Sequence, residues 1–438
     1  MSSLHKIIGR RAFELLLPSE REFWKEEAEN IPHYCEYPDL HAGAPWDEPE
    51  LEKHYERYCL MPCGRCVPHG PSDKTWRCAA FGGEPCPDNS LYALRYYFDT
   101  VVACIRSGDA QNAAMFAGAI AHTVQDFCTP VHSFSNIVLN RMFPPIPGKY
   151  LFMHRVVDGW PFTPEKVTAP PELLGRNAEE AAFLLNERLF AFMEWQHRHI
   201  VTLFESIRSG ENTAADIIMQ KTNEAAVHLT ASLWHTMFVI ADGVIAVEEA
   251  NRLDSIDLTA LPMIESYSNE FHRDQYIAAG IPFYPNKYDE YDPPRSRLGT
   301  DPYPFEPAVN HALAPDGSEI PLELTLDGKT FRGNGRGIAT AAYGVASFRV
   351  PGSLYGTLDV FAGIHPRSES NRMVTFGIWS NEANPRLLCK FTASKDTSAV
   401  HLQIPIPHEC RTLALLSADG DQQTHVVWLN PLLKSRLI

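Results

Sequence analysis

The apolar positions of this chain follow two regimes. Over the first 250 residues their spacing is helical. Residues 91–107 (LYALRYYFDTVVACIRS) and 110–127 (AQNAAMFAGAIAHTVQDF) place apolar side chains at i, i+3 and i+4, as do the long stretches 178–208 and 213–250. Ser19-Glu20-Arg21-Glu22 reads as a capping box opening a helix before FWKEEAENI. Region 30–90 is irregular and rich in Pro, Cys and Gly; region 133–175 is loop-like, with a short helical piece near 151–158. From about residue 308 the period becomes two. Alternating runs appear at 322–326 (LELTL), 346–350 (ASFRV), 373–379 (MVTFGIW), 401–406 (HLQIPI) and 412–417 (TLALLS), with turn residues between them. That rhythm is the one a β-sandwich requires. Residues 282–307 hold seven prolines and four tyrosines, which suits an extended linker. The predicted architecture is multidomain: an all-α domain over 1–251, a Pro/Tyr-rich linker over 252–307 and an all-β sandwich over 308–438.

Composition supports a folded, two-domain chain. Of 438 residues, 45% are hydrophobic and 21% charged. Lys and Arg total 38 against 54 Asp and Glu, a formal charge of −16. That balance argues against stable nucleic-acid binding, which phosphate contacts dominate. It leaves room for phosphodiester chemistry, because bound metal ions supply local positive charge. The N-terminus, MSSLHKIIGRRAFELLL, lacks the ordered regions of a signal peptide, and no apolar run suggests a membrane span. The chain as written reads as cytoplasmic, and as secreted if a leader has been trimmed. Of ten cysteines, five fall between Cys59 and Cys86, including the pair Cys63-Gly-Arg-Cys66. With Cys59, His69 and Cys78 nearby a structural zinc is conceivable, but a second CxxC is missing, so free thiols or a disulfide loop are favoured. Cys104, Cys128, Cys389 and Cys410 sit in apolar surroundings and read as core.

The chemistry concentrates in His122-Thr-Val-Gln-Asp-Phe-Cys-Thr-Pro-Val-His132. His122 and Asp126 stand at i and i+4 on one helix face. The helix should end near Thr129-Pro130, leaving His132 just beyond it. A capped helix end with polar residues facing water is the plain alternative. The strongly apolar AMFAGAIAH before the pair instead predicts a buried helix that delivers ligands inward. His154 and Asp158 repeat the i, i+4 geometry. His197 and His199 lie on a long helix, where one should face water; His228 and His235 read as packing residues. His33, His41 and His69 read as loop residues.

On these residues the first 250 positions resemble the zinc-dependent phospholipase C family, which shares its fold with single-strand-specific nucleases. The family pattern of His, three residues, Asp, five residues, His, with Pro two before the last His, is matched from His122 to His132, including Pro130. The family's following His-x3-Glu pair corresponds to His154 and Asp158, an acid one methylene shorter. A ligand His in the first helix corresponds to His5 in HKIIGRRAFELL. An Asp in a Tyr-rich loop and a His about fifteen residues on correspond to Asp39 in EYPDLH and His54 in KHYERYC. The resemblance implies one zinc on Asp39, His54, His122 and Asp126, and a second on His132, His154 and Asp158. It implies a third that shares Asp126 and uses His5. The family completes that third site with the free amino terminus of a processed Trp, whereas here four residues precede His5. Asp39 is implied as the group that deprotonates or orients the attacking water.

The C-terminal part resembles the NPCBM module, a carbohydrate-binding, galactose-binding-like β-sandwich. The matching stretches are 324–350 (LTLDGKTFRGNGRGIATAAYGVASFRV), 358–364, 374–379 and 426–433. Where the family has a His soon after Gly337-Ile338, this chain has Ala-Thr-Ala-Ala. Together the two resemblances imply a zinc-dependent phosphate-ester hydrolase of phospholipase C type. Its substrate would carry a phosphate ester, such as a lipid head group, and carbohydrate is a further partner. The alternative is a glycan- or surface-binding protein whose helical domain is a degenerate metal-binding one.

Overall fold

The computed structural model describes residues 4–36, 87–132, 142–143, 153–268, 307–314, 317–342, 344–381, 386–420 and 423–436. The chain divides into two units, Met1–Ala250 and Asn251–Ile438, the first built of helices and the second of antiparallel strands. The all-α, then all-β, order expected from the two periodicities is the order observed.

The first unit contains α1 (Leu4–Leu15), α2 (Pro18–Phe23), α3 (Ile31–Tyr34), α4 (Pro87–Ser107), α5 (Ala110–Phe127), α6 (Met153–Asp158), α7 (Ala178–Ser209) and α8 (Thr213–Asp242). A short α9 (Val247–Arg252) follows. At the centre lies α5, in which every residue from Ala113 to Phe127 is buried. Asp109 caps its start by accepting from the Asn112 backbone N–H at 3.1 Å. Asn177 does the same for α7 through Glu180 N, and α7 closes on Gly210 at φ 79°. Trp234 of α8 donates its indole N–H to the Ala117 carbonyl at 3.0 Å, and Gln196 of α7 donates to the Phe127 carbonyl at 3.1 Å. The second bond satisfies an end carbonyl that α5 leaves without an intrahelical partner. Among the described residues no helix is long and apolar enough to cross a membrane.

The sequence expectations are refined at two helix ends. The capping role falls on Glu20, whose carboxylate accepts the Leu17 N–H at 2.8 Å. The helix then opens at Pro18, whose missing N–H costs nothing there, and Ser19 lies inside it. The stretch expected to run to residue 250 stops at Asp242, because Gly243 takes a left-handed conformation at φ 70°.

Two glycines let α3 wedge between α1 and α5. A Cβ on Gly9 of α1 would lie 2.8 Å from the Cys35 Sγ, just past α3. A Cβ on Gly118 of α5 would overlap that of Tyr34 and lie 3.0 Å from the Ile31 carbonyl. Glycine in a helix interior is normally a loss, so its use here reflects the close approach of the backbones.

The second unit packs two sheets. One has the order β13-β10-β15-β8-β3, with β1 also on β15; the other has the order β12-β11-β14-β9-β2. The strands of the first are β1 (Ser255–Asp257), β3 (Ala308–Val309), β8 (Gly337–Ala341), β10 (Tyr355–Ile364), β13 (Val400–Pro405) and β15 (His425–Ser435). Those of the second are β2 (Met263–Ser268), β9 (Gly344–Arg349), β11 (Val374–Asn381), β12 (Arg386–Ala393) and β14 (Thr412–Ala418). Two small hairpins, β4 (Ala312–Leu313) with β5 (Glu319–Ile320) and β6 (Leu324–Leu326) with β7 (Lys329–Phe331), complete the unit. Trp428 of one sheet meets Phe376 of the other edge-to-face at 5.3 Å, so the core lies between the layers. The span 252–307, expected as linker, begins with strands β1 and β2, each hydrogen-bonded into a sheet; 269–306, with the Pro/Tyr-rich stretch, lie outside the described residues.

Cys35, Cys128 and Cys410 are buried, and Cys104 and Cys389 are partly buried. The cluster from Cys59 to Cys86, with His41 and His69, lies outside the described residues.

Candidate metal centre

Residues from four parts of the first unit meet at the end of α5. His122 and Asp126 occupy its last turns, and the predicted i, i+4 pairing is realised: His122 Nε2 lies 3.3 Å from Asp126 Oδ2. The chain then reverses sharply. The Thr129 N–H bonds the Asp126 carbonyl at 2.8 Å, and the 3₁₀ turn Pro130–His132 follows, with His132 N on the Thr129 carbonyl at 3.0 Å. This turn brings His132 Nε2 back to 3.4 Å from Asp126 Oδ1. His5, in the first turn of α1, reaches the same oxygen with its Nε2 at 3.5 Å. The rings of His5 and His122 lie with centroids 4.2 Å apart. Asp158, the last residue of α6, stands 3.6 Å from His132 Nε2.

The far sides of two imidazoles are held. His122 Nδ1 donates to the Cys35 backbone carbonyl at 2.8 Å, a bond that the wedge of α3 makes available. His5 Nδ1 donates to Gln125 Oε1, also at 2.8 Å. With the proton on Nδ1, each neutral ring directs its Nε2 lone pair toward the carboxylate. Lone pairs facing an anion repel unless a cation stands between them. Asp126 Oδ1 is itself buried with no hydrogen-bond partner among the described residues.

Electrostatics point the same way. Burial alone would raise the carboxyl of Asp126, but positive charge at the positions of His122, His132 and His5, were those rings protonated, more than offsets it and holds it well below the usual carboxylate range, so the site favours positive charge beside this carboxylate. The C-terminal end of α5 also carries partial negative charge, which favours a cation there. Nearby thiols stay protonated: burial pushes Cys35 up to about 12, with the Gln125 side chain acting the other way. Burial and the neighbouring Asp126 push Cys128 up as well.

His5, His122 and Asp126 place ligand atoms within 4.8 Å of one another. Two neutral imidazoles and a carboxylate fit Zn²⁺ in donor type. The cluster grades from the fully buried His122 through His132 to Asp158, whose side chain is 39% exposed. Of the residues expected as ligands, the structure thus gathers His5, His122, Asp126, His132 and Asp158. Asp126 touches three imidazoles, where the sequence reading spread them over separate ions. His154 lies in α6, with its side chain outside what is described, and Asp39 and His54 lie outside the described residues. Sequence reasoning missed Cys35 and Gln125. The only signal for Gln125 was a polar residue inside a fully buried apolar helix.

The other histidines are placed as follows. His197 is exposed and His199 stacks on Trp195 at 4.2 Å. His33 and His228 are half-buried, the latter bonded to the Pro170 carbonyl, whereas His235 is buried on Glu20 at 2.6 Å. In the second unit, Ala339, Thr340, Ala341 and Ala342 are all buried at or beside β8 and offer no surface side chain.

No protein-family model matches the chain, and no curated protein matches it in sequence. Solved structures do match in part. The chain is similar to a carbohydrate-binding module, CBM51 of Clostridium perfringens GH95 in complex with methyl-galactose, at 16% identity and TM-score 0.29, over 41% of this chain and 99% of that one. It is similar to tandem CBM51 modules of a family 98 glycoside hydrolase from Streptococcus pneumoniae at 15% identity and TM-score 0.29, over 44% of this chain and 51% of that one. It is also similar to Clostridium perfringens alpha-toxin at 10% identity and TM-score 0.35, over 94% of this chain and 85% of that one.

Proposed function

We propose that the helical unit is a zinc-dependent phosphate-ester hydrolase, a phosphodiesterase of phospholipase C type. One observation carries the reading: the buried carboxylate of Asp126, whose Oδ1 has no hydrogen-bond partner among the described residues, faces the Nε2 atoms of His5, His122 and His132. A cation is the natural resolution of that arrangement, and the His-x3-Asp-x5-His spacing supports the same conclusion.

Zinc bound here would supply an acidified water and positive charge for phosphoryl oxygens. His5, His122 and Asp126 would hold it in the buried part of the cluster. His132 and Asp158, with His154 on the same short helix, would serve a second ion nearer to solvent. The Cys35 carbonyl orients His122 and keeps its proton on Nδ1. The packing of α5 excludes water behind the ligands, which strengthens their charge interactions. Asp39 and His54 join on sequence grounds, Asp39 as the acceptor of the water's proton.

The test is a zinc count on purified protein, together with hydrolysis of bis(4-nitrophenyl) phosphate and of phospholipid. Two or more zinc ions per chain with zinc-dependent turnover is the expected result. A protein that takes up none overturns the reading and leaves the glycan- or surface-binding alternative.

A further inference from the structure

We propose that Gln125 is a positioning residue that commits His5 to metal binding, an inference that rests on the zinc reading above. Gln125 is fully buried and sits between His122 and Asp126 on α5. Its amide oxygen accepts from His5 Nδ1 at 2.8 Å across 120 residues of sequence. The amide nitrogen at its other end is buried without a hydrogen-bond partner among the described residues.

An amide is ambivalent. Turned one way it presents oxygen to His5, places the imidazole proton on Nδ1 and frees Nε2 to coordinate. Turned the other way it presents N–H₂, moves the proton to Nε2 and aims an N–H at the metal position. The observed orientation, with Oε1 on His5 Nδ1, is the coordinating one. His122 needs no such device, because a backbone carbonyl can only accept. The two imidazoles are thus held from behind by separate acceptors, the Cys35 carbonyl for His122 and Gln125 Oε1 for His5. Groups that orient a ligating imidazole from behind typically change metal affinity by about 10–100-fold when removed.

Gln125→Leu removes the acceptor at similar size, whereas Gln125→Glu keeps an oxygen on His5 Nδ1. Nitrogen-15 NMR of the metal-free wild type should show the Nδ1–H tautomer of His5, lost in the Leu variant and retained in the Glu variant. Zinc affinity, measured by competition with a chelator, should fall about 10–100-fold in the Leu variant and recover in the Glu variant. Should the Leu variant fail to fold, Gln125→Asn, which withdraws the amide by one methylene, is expected to show the same loss. A wild type that binds zinc while the Leu or Asn variant keeps its tautomer and affinity overturns this proposal alone. A wild type that binds no zinc overturns the metal reading, and this proposal with it.

Discussion

Gly118 and Tyr34 pack with no room for a methyl group: a Cβ on the glycine would overlap the tyrosine Cβ and press on the Ile31 carbonyl at 3.0 Å. This contact seats α3 against α5 and so delivers the Cys35 carbonyl to His122. Helix propensity alone predicts that Gly118→Ala gains about 0.5–1 kcal/mol. Overpacking should reverse the sign and cost about 1–3 kcal/mol. Urea denaturation of the metal-free protein is the check, and a variant as stable as wild type would show that α3 is not wedged as described.

Asp126→Asn is nearly isosteric but removes the charge that three imidazoles face. Zinc affinity and phosphodiester turnover should each fall about 100-fold or more, beyond the range of an orienting group. Helical content should stay intact by circular dichroism. Retention of full zinc binding by this variant would remove Asp126 from the ligand set.

His235 donates its Nδ1 proton to the buried Glu20, and its Nε2 lies 3.6 Å from Glu249. Burial opposes its charged form, but the hydrogen bond and charge of Glu20, with Glu249, prevail and raise its pKa above the ordinary value. A raised folded-state pKa means the protonated ring is favoured in the fold. Its stabilisation is fully present below about pH 6.5 and is lost as pH rises through the higher folded-state value. Melting temperatures of wild type and Glu20→Gln should therefore differ most at the acidic side of neutrality and converge at higher pH. A gap that widens with pH would contradict the assignment.

Trp428 is 1% exposed and crosses the sandwich to Phe376. Trp428→Ala should cost about 3–5 kcal/mol, read as an earlier urea transition of the β unit by tryptophan-independent circular dichroism. An unshifted transition would mean that the two sheets do not share the core described.

Much of the fold was legible because local periodicity and burial agree. The helices over 91–107, 110–127 and 178–208 appear where their apolar spacing placed them, and the strands over 346–349, 374–379, 401–405 and 412–417 follow clear alternation in sequence. Strands β8 and β15 carry no such alternation, since β8 is buried along its whole length and β15 along most of it. Strands β1 and β2 hide in a span whose later prolines suggested a linker.

The candidate site divides along the same line. The sequence by itself determined the helix that carries His122 and Asp126, and their shared face, because i, i+4 spacing is a property of the helix alone. It also ended that helix near Thr129-Pro130 and placed His132 just beyond it. Only the tertiary structure decided that His5 meets Asp126 across the fold, that one carboxylate gathers three imidazoles, and that Cys35 and Gln125 hold two of those rings from behind. The Cys35 contact depends on two glycines that let backbones approach, and close approach between distant segments leaves no periodic trace in a sequence.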